Sequence, residues 1–517
     1  MKKFLAVSTL MSLIVCNLPE LQSPTETTFI SLLLRSLIRP PIELSIIYNG
    51  AEYKPGSTIE LGSSQAFVKK TSDIILKVTG TENISIDKTN GYSIETTSIG
   101  TIDLQASSNF PDVLPVGFEQ NVSVITLPDS NLTNEWKFNL NITSPSVTTL
   151  SYTFKLLSTD VKPGAIILSG NSSVGAENFV SSYLFNTTSG IVGLENPIAV
   201  GLPTTSSRLV RSRDNKYIFF NKENVTDLRS FRVNSSAGVS EVAGSPFVGF
   251  TNIRELISIP NQDRFLARNG SSDAYYTFAY DSNGAIGSST GPFGGLCSAY
   301  TVLSPNGDYM YITSAIAANS DIIPYRLNSD GNLTAIATQT ELDLTNRTRI
   351  HLKSKLKPYL YTATHTNLPG ANNFKVNKIL RRDTRSDGTL GQVDTYFDLP
   401  NVGESYQRFI AHPNDRYYYL AGILGGQVRI KGLKHDLSSE SISELFSYDI
   451  INSNMVRNIK VSPDGKYLAI LVGVTTCGPP CSSLFIHKIK SDGSINTSPS
   501  TSITRTSNFD DFEWGGY

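Results

Sequence analysis

The chain carries five histidines, the side chains used most often as general bases near neutral pH and as metal ligands. They are His351, His365, His412, His435 and His487. Their spacings match no metal-ligand motif, so each is interpreted as a structural or surface residue. The sequence therefore predicts no metal site, and nothing else in it indicates a cofactor.

The cysteines indicate a different chemistry. Cys477 and Cys481 enclose a Gly-Pro-Pro loop, and in an oxidising compartment this arrangement predicts a local disulfide. Two thiols without a second pair of ligands nearby cannot build a tetrahedral metal site. Cys297 has no evident partner and is predicted to be a small buried hydrophobic residue.

Several classes of function find no support in the sequence. There is no Gly-x-Ser-x-Gly elbow, no Walker-type phosphate loop and no His-Glu-x-x-His motif. The formal net charge of -1 supplies no positive field for nucleic acid, so no nucleic-acid partner is expected. One modest basic cluster is predicted to be a solvated rim; it comprises Lys353, Lys355, Lys357, Arg381, Arg382 and Arg385.

The N-terminus predicts export. In MKKFLAVSTLMSLIVC two lysines precede an apolar run that is too short to span a bilayer. Leu13 to Cys16 resembles a bacterial lipobox, in which the cysteine is acylated; the alternative is an ordinary signal peptide cut near this point. We expect residues 1–16 to be a lipoprotein signal with lipid on Cys16, and residues 17–41 to be a tether. The expected location is the outer membrane or the cell surface.

Residues 42–148 alternate apolar and polar positions in short runs. Trp136, Phe138 and Leu140, for example, alternate with Lys137 and Asn139. A period of two indicates half-buried strands, and about seven such runs predict an immunoglobulin-like β-sandwich. The segment IIYNGAEYKPGSTIELGSS resembles the choice-of-anchor Ig-like modules of bacterial surface proteins.

The remainder, residues 149–517, repeats a phrase in which a polar turn precedes an aromatic-rich strand, as in SPNGDYMYI and SPDGKYLAI. A weaker copy begins at Lys162. The mean spacing of the marker aromatic residues is 50 residues. These residues are Tyr217, Phe265, Tyr309, Tyr359, Tyr417 and Tyr467. Such a period is typical of the blade of a propeller.

A second phrase consists of an apolar strand, a tight polar turn and another apolar residue. Six of its seven copies carry glycine at the turn, where positive φ is expected: Gly190, Gly238, Gly284, Gly331, Gly388 and Gly493. Two hairpins per unit predict four-stranded blades in a seven-bladed β-propeller, so the whole chain is expected to be all-β. Either the strand from Tyr152 to Leu156 or the terminal segment from Phe512 to Trp514 is expected to complete a blade begun at the other terminus.

This alternation of phrases resembles the seven-bladed lactonase family, which includes bacterial 6-phosphogluconolactonase. The resemblance covers residues 162–517 and implies chemistry by His, Arg and Glu side chains at the mouth of the central channel. Aligning the family phrases on this chain places Arg408 and Lys460 at histidine positions, Ile423 at the glutamate and Gly473 near the arginine. Because arginine cannot accept a proton, lactone chemistry by the family's route is expected to be lost.

Two functions remain open. The first is a monomeric, non-catalytic scaffold that binds a protein, glycan or envelope partner. The alternative is a lactonase-like hydrolase or isomerase, in which Arg408, Arg457 and Lys460 clamp a small anionic lactone in the channel.

Overall fold

The computed structural model describes residues 42–515 with short gaps, and the described residues form strands and turns without a helix. The gaps are 66–69, 88–91, 97–100, 107–110, 129–132, 144–148, 160–163, 172–177, 191, 200–206, 223–226, 235, 251, 294–297, 315–321, 337–345, 367–374, 399–404, 437–440, 476–480 and 506–507. Within this part of the chain no helix is long and apolar enough to cross a membrane. The prediction of an all-β protein is confirmed. Cys16 and the expected tether lie outside the described residues.

The first unit contains two larger sheets and a two-stranded one. The first sheet has the order β2-β1-β4-β9-β7, with β1 Leu44–Tyr48, β2 Ala51–Tyr53, β4 Lys70–Val78, β7 Thr101–Ala106 and β9 Glu119–Leu127. The second has the order β3-β11-β10-β6, with β3 Thr58–Gln65, β6 Tyr92–Thr96, β10 Thr133–Asn141 and β11 Thr149–Thr159. The small sheet pairs β5 Ile84–Ser85 with β8 Val113–Leu114.

Both larger sheets contribute to one core, so this unit is a β-sandwich. Ile74 and Val124 of the first sheet and Trp136 and Phe154 of the second are among its fully buried members. β11 pairs with β10 and, in parallel, with β3, so the sandwich continues past the boundary expected at residue 148. Tyr152 therefore belongs to the sandwich, where its hydroxyl donates to the Leu44 carbonyl, and does not complete a blade.

The described residues of the second unit form seven sheets, which we number as blades. Blade 1 contains β12 Ala165–Asn171, β13 Asn178–Phe185, β14 Val192–Ala199 and the C-terminal strand β40 Asn508–Gly515. Blade 2 contains β15 Ser207–Arg211, β16 Tyr217–Lys222, β17 Asp227–Val233, β18 Val239–Glu241 and β19 Phe247–Val248. Blade 3 contains β20 Ile253–Ser258, β21 Arg264–Asn269, β22 Tyr275–Tyr280 and β23 Ile286–Phe293. Blade 4 contains β24 Ser298–Leu303, β25 Tyr309–Ser314, β26 Ile322–Leu327 and β27 Leu333–Ala335.

The other three blades follow the same order. Blade 5 contains β28 Asn346–Lys353, β29 Tyr359–Thr366, β30 Lys375–Thr384 and β31 Leu390–Asp398. Blade 6 contains β32 Ser405–Ala411, β33 Tyr417–Leu424, β34 Gln427–Asp436 and β35 Ser441–Ile450. Blade 7 contains β36 Ser453–Val461, β37 Tyr467–Val474, β38 Ser482–Lys488 and β39 Thr501–Arg505.

The blades close into a ring. Every adjacent pair, including blades 7 and 1, shares a cluster of buried apolar side chains. The last strand closes the ring, since β40 pairs antiparallel with β12 and brings Trp514 opposite Ile166. The prediction of a seven-bladed propeller is confirmed, and of the two candidate closing strands the terminal one is correct.

The two repeated phrases meet at the boundaries between blades. In blade 2 the Tyr217 hydroxyl donates to the Ser282 carbonyl at 2.9 Å, in the turn that contains Gly284 of blade 3. A Cβ on Gly284 would lie 2.2 Å from the Tyr217 ring, so the glycine is needed for this close approach as well as for its φ of +80°. At the blade 2 turn the prediction for Gly238 is wrong, because Ala237 adopts the positive φ there, at 58°.

A turn of blade 5 connects the propeller to the sandwich. Leu356, which is 2% exposed, clusters with Ile125 and Leu127 of β9. The turn is held from blade 6 by Asp415, whose Oδ2 accepts hydrogen bonds from the backbone amides of Lys355 at 3.0 Å and Leu356 at 3.1 Å. The sandwich therefore packs at the end of the propeller where the inner strands lead into their turns.

Candidate functional site

The innermost strands of the blades surround the central channel and share an irregularity. Six of the seven, as far as the structure describes them, contain a one-residue bulge, and in the five that lead into a described turn the bulge lies at the same distance before it. The extra residues are Arg254, Ala299, Arg349, Gln407, Arg457 and Asp510. Bulges redirect side chains and are common beside functional sites. We call the end of the channel beside these bulges the mouth, and the opposite end, where the inner strands lead into their turns, the floor.

Arg408 and Arg457 lie together at the mouth. The Arg408 guanidinium donates from Nη2 to the Arg457 carbonyl at 2.8 Å and from Nη1 to the Gln407 carbonyl at 2.9 Å. Arg457 Nη1 lies 3.7 Å from Asp510 Oδ1. Both arginine side chains are half-buried. Backbone carbonyl groups hold the Arg408 guanidinium in place, and the Asp510 carboxylate pairs with that of Arg457.

A carboxylate of blade 3 also belongs to the mouth. Glu255 Oε2 lies 3.4 Å from Arg268 Nε and accepts hydrogen bonds of 3.4 Å from the hydroxyls of Tyr275 and Thr301. Burial raises the pKa of Glu255, and the charges of Arg268 and Arg208 together with the two hydroxyls oppose part of this rise. The side chain is consequently a carboxyl group that can hold or release a proton closer to neutrality than a solvated one.

Arg208 connects these groups. Its Nε donates to the Arg254 carbonyl at 3.0 Å, and its charge acts on both Glu255 and Arg457. The mouth thus combines anchored arginines with two carboxylates, Glu255 and Asp510. This arrangement can bind an anionic group by charge-assisted hydrogen bonds.

Lys460 does not join the two arginines. It lies three residues deeper than Arg457 on β36, and its Nζ is 2.7 Å from Glu513 Oε2. Arg211 Nε is 4.0 Å from the other oxygen of Glu513. The clamp expected from Arg408, Arg457 and Lys460 is therefore divided: the structure brings the first two together and places the third in a separate cluster near the floor.

The described histidine side chains have structural contacts. His412 pairs through Nε2 with the Gly465 carbonyl at 2.8 Å, while Nδ1 accepts from the Asn414 amide at 3.1 Å. His435 contacts the Tyr418 hydroxyl at 2.9 Å, and His487 Nδ1 contacts the Asn496 carbonyl at 2.8 Å. Burial lowers the pKa of His412 to about 4, which keeps it neutral. The side chains of His351 and His365 lie outside the described part.

The structure describes only some of the residues in the cysteine prediction, and it corrects the prediction for the basic cluster. Cys481 is buried and disulfide-bonded, while its expected partner Cys477 and also Cys297 lie outside the described residues. The basic cluster does not form a single solvated rim, because Arg382 is 6% exposed and donates to the Gly391 carbonyl. Among the described residues no three His, Cys, Asp or Glu side chains are placed to share a metal ion.

Sequence reasoning missed the carboxylates of the inner strands, Asp510, Glu513 and Glu255; we call the ring of innermost strands around the channel the hub. The terminal segment DDFEW aligns with RNIKV of β36 when the bulges are superposed, so that Asp510 matches Arg457 and Glu513 matches Lys460. From the sequence, the terminal segment is interpreted only as a strand that closes the ring, so its charged residues are not compared with those of the other inner strands. The same alignment of the inner strands places Glu255 at the position of Asn458, directly after the bulge residue.

Comparison with solved structures agrees with this architecture. The periplasmic gluconolactonase of Pseudomonas aeruginosa superposes with a TM-score of 0.52 and 13% identity, over 68% of this chain and 99% of that chain. A candidate 6-phosphogluconolactonase from Bacteroides uniformis gives a TM-score of 0.48 and 17% identity, over 66% and 99% of the respective chains. No protein-family model matches the sequence, and no match was found among curated proteins. The superposition on the periplasmic gluconolactonase, together with the seven blades, shows a lactonase-like β-propeller fold, here joined to an N-terminal sandwich.

Proposed function

We propose that this chain is an exported, lipid-anchored protein of the cell envelope whose propeller binds a ligand at the channel mouth without catalysing its conversion. The observation that carries the proposal is the pair Arg408 and Arg457, half-buried and fixed by carbonyl groups and by Asp510. Fixed guanidiniums recognise carboxylate or phosphate groups, but they cannot act as general bases. A ligand with an acidic group fits this mouth.

Two exposed apolar side chains shortly before Arg457 in the chain are consistent with a partner larger than a single anion. Ile451 is 70% exposed and Met455 is 46% exposed, and both precede Arg457 at the entrance to β36. Exposed apolar side chains and arginines are both common at the centres of interaction sites. A glycan or protein with an acidic group beside an apolar one would engage both features.

The test measures binding and turnover on the same protein. The full chain is titrated with sugar acids, phosphorylated sugars and acidic envelope glycans, and screened against a panel of lactones. We expect at least one acidic ligand to bind, the double variant Arg408→Gln/Arg457→Gln to bind it at least ten-fold more weakly, and no lactone to be hydrolysed. Arg326→Gln, an exposed arginine on the third strand of blade 4, is the matched control. Lactone turnover that is lost on Arg408→Ala would overturn the proposal.

A second function is favoured by Glu255. A half-buried carboxyl group with a raised pKa, close to Arg208 and to two hydroxyls, is the kind of group that transfers protons in a hydrolase or isomerase. In this alternative the mouth arginines hold a small anionic lactone and Glu255 acts as the general base. Lactone turnover that disappears in Glu255→Gln while substrate binding persists would favour this function.

The anchoring part of the proposal depends on the N-terminus. We expect Cys16→Ser to move the protein from the membrane fraction to the soluble fraction, because a polypeptide without its acyl chains loses the main hydrophobic contact with the bilayer. Cys297→Ser serves as the control and should remain membrane-bound. Equal membrane association of the two variants would contradict lipid anchoring at Cys16.

A further inference from the structure

The floor of the hub collects cations from opposite sides of the ring. Arg211 lies on β15 of blade 2, Lys460 on β36 of blade 7 and Lys355 in the turn after β28 of blade 5. Glu513 of β40 lies between the first two, at 2.7 Å from Lys460 Nζ and 4.0 Å from Arg211 Nε. Lys355 lies near enough to Arg211 for their charges to repel each other.

Two carboxylates, Glu513 and Asp415, interact with these three cations, so the positive charges outnumber the negative ones by one. Glu513 is 7% exposed, and its Oε1 also accepts a hydrogen bond from the Trp514 amide at 3.0 Å. Asp415 attracts Lys355; its Oδ2 accepts hydrogen bonds from Ser354 Oγ and from the backbone amides of Lys355 and Leu356, whereas its buried Oδ1 accepts none from a described residue. Three cations thus face two carboxylates within the described residues.

One donor at the floor has no partner. The Nη1 of Arg211 is buried and makes no hydrogen bond to any described residue. An unsatisfied buried donor on a cation is unfavourable unless an acceptor completes it. Burial also disfavours the charged form of Lys355 and lowers its pKa to about 8; the Asp415 charge opposes part of this shift and the Arg211 charge adds to it.

From this geometry we propose that the floor of the channel is a second binding site, separate from the mouth, which takes a small oxyanion group on Arg211, Lys355 and Lys460. The planar guanidinium can donate two parallel hydrogen bonds to a phosphate or carboxylate, and the two ammonium groups neutralise its charge. Because Leu356 packs against the sandwich beside Lys355, the anion reaches the floor from the mouth through the channel.

The test uses inorganic phosphate on the full chain, followed by the phosphate 31P line width and by the thermal midpoint, with chloride at equal ionic strength as the reference. We expect saturable line broadening and a higher midpoint with phosphate. In Lys355→Met and in Lys460→Met/Glu513→Gln, which removes a whole ion pair, binding should weaken at least ten-fold. Acetate in place of phosphate shows whether a carboxylate is accepted equally well.

The mouth variants separate this site from the proposed function. Arg408→Gln/Arg457→Gln should retain phosphate binding at the floor even though it loses the acidic ligand of the mouth. Binding should also decline above pH 8 as Lys355 loses its proton, with Arg211, Asp415 and His412 as its charged or titratable neighbours. Broadening that is equal in wild type and in Lys355→Met, or that is lost only in the mouth variant, would overturn the proposal.

Discussion

The Tyr467 hydroxyl donates a hydrogen bond of 3.0 Å to the Thr187 carbonyl, a residue 280 positions earlier in the chain. Tyr467 belongs to blade 7 and Thr187 to the turn of blade 1 that contains Gly190. The same contact recurs from Tyr217 to Ser282, from Tyr309 to Ser386 and from Tyr417 to Ser491. The two repeated phrases are therefore the two halves of one inter-blade contact, and its copy at Tyr467 joins the ends of the ring.

Gly190→Ala should destabilise the ring closure. A Cβ at Gly190 would lie 2.6 Å from Tyr467 Cε1 and would also require a positive φ of 71° from alanine. The backbone term alone is about 1–2 kcal/mol, and overpacking adds about 1–3 kcal/mol. The free energy of unfolding in urea measures the total.

Gly426→Ala isolates the backbone term. Gly426 has a φ of +82°, and no other atom lies within 4 Å of the position that a Cβ would occupy, so only the strain of the left-handed region applies. Equal destabilisation by the two substitutions would show that contact with Tyr467 does not restrict Gly190.

His412 should make the propeller sensitive to acid. Its pKa is about 4 in the fold against 6.5 in the unfolded chain, so the unfolded state binds more protons between these values and stability falls as the pH decreases from 6.5 to 4. The loss is on the order of 3 kcal/mol. His412→Gln should show a smaller decrease in the free energy of unfolding over the same range. An unchanged pH dependence in this variant would contradict the assignment.

Leu356→Ala should weaken the coupling between sandwich and propeller. Removing a buried leucine costs about 2–5 kcal/mol, and here the loss falls on the contact with Ile125 and Leu127. Calorimetry should therefore resolve two unfolding transitions that lie closer together in the wild type. Leu327→Ala, within the blade 3 and blade 4 core, should lower the propeller transition without separating the units. A single transition in Leu356→Ala would contradict this role.

Glu255→Gln should alter stability most at neutral pH. Because the pKa of Glu255 is raised above its usual 4.5, the folded state binds the proton more tightly, and wild-type stability decreases as the pH rises through that interval. The glutamine cannot ionise, so the difference between variant and wild type should shift in favour of the variant as the pH increases. Urea midpoints at several pH values measure it, and a difference independent of pH would show that Glu255 titrates normally.

The architecture could be predicted from the sequence because it depends on repetition. Tyr417 and Tyr467 lie one blade apart, and each begins the second strand of its blade, so the period translates directly into strands. The C-terminal boundary of the sandwich was harder to predict, because the alternation of Tyr152, Phe154 and Leu156 fits a blade strand as well as a sandwich strand. Only the pairing of β11 with β3, about 95 residues earlier, decides between them.

The charged hub could be predicted only in part. Alignment on single turns identifies Arg408, Arg457 and Lys460, but it does not show whether each residue lies near the mouth or near the floor of the channel. The bulge at Arg457 shifts the register of the residues before it, and the partners Asp510 and Glu513 come from the far end of the chain. Interactions of this kind depend on tertiary structure, so local sequence patterns do not reveal them.

The pairing of β40 with β12 also determines when the molecule can become complete during synthesis. A chain grows from its N-terminus, so the sandwich and the middle blades are available to fold while the inner position of blade 1 is still vacant. Loss of β40, Asn508–Gly515, by premature termination or trimming would expose the backbone edge of β12 and remove Asp510 and Glu513 together. Assembly of the charged inner strands therefore waits for the synthesis of β40, and chains that stop before this strand would have an open ring without Asp510 and Glu513.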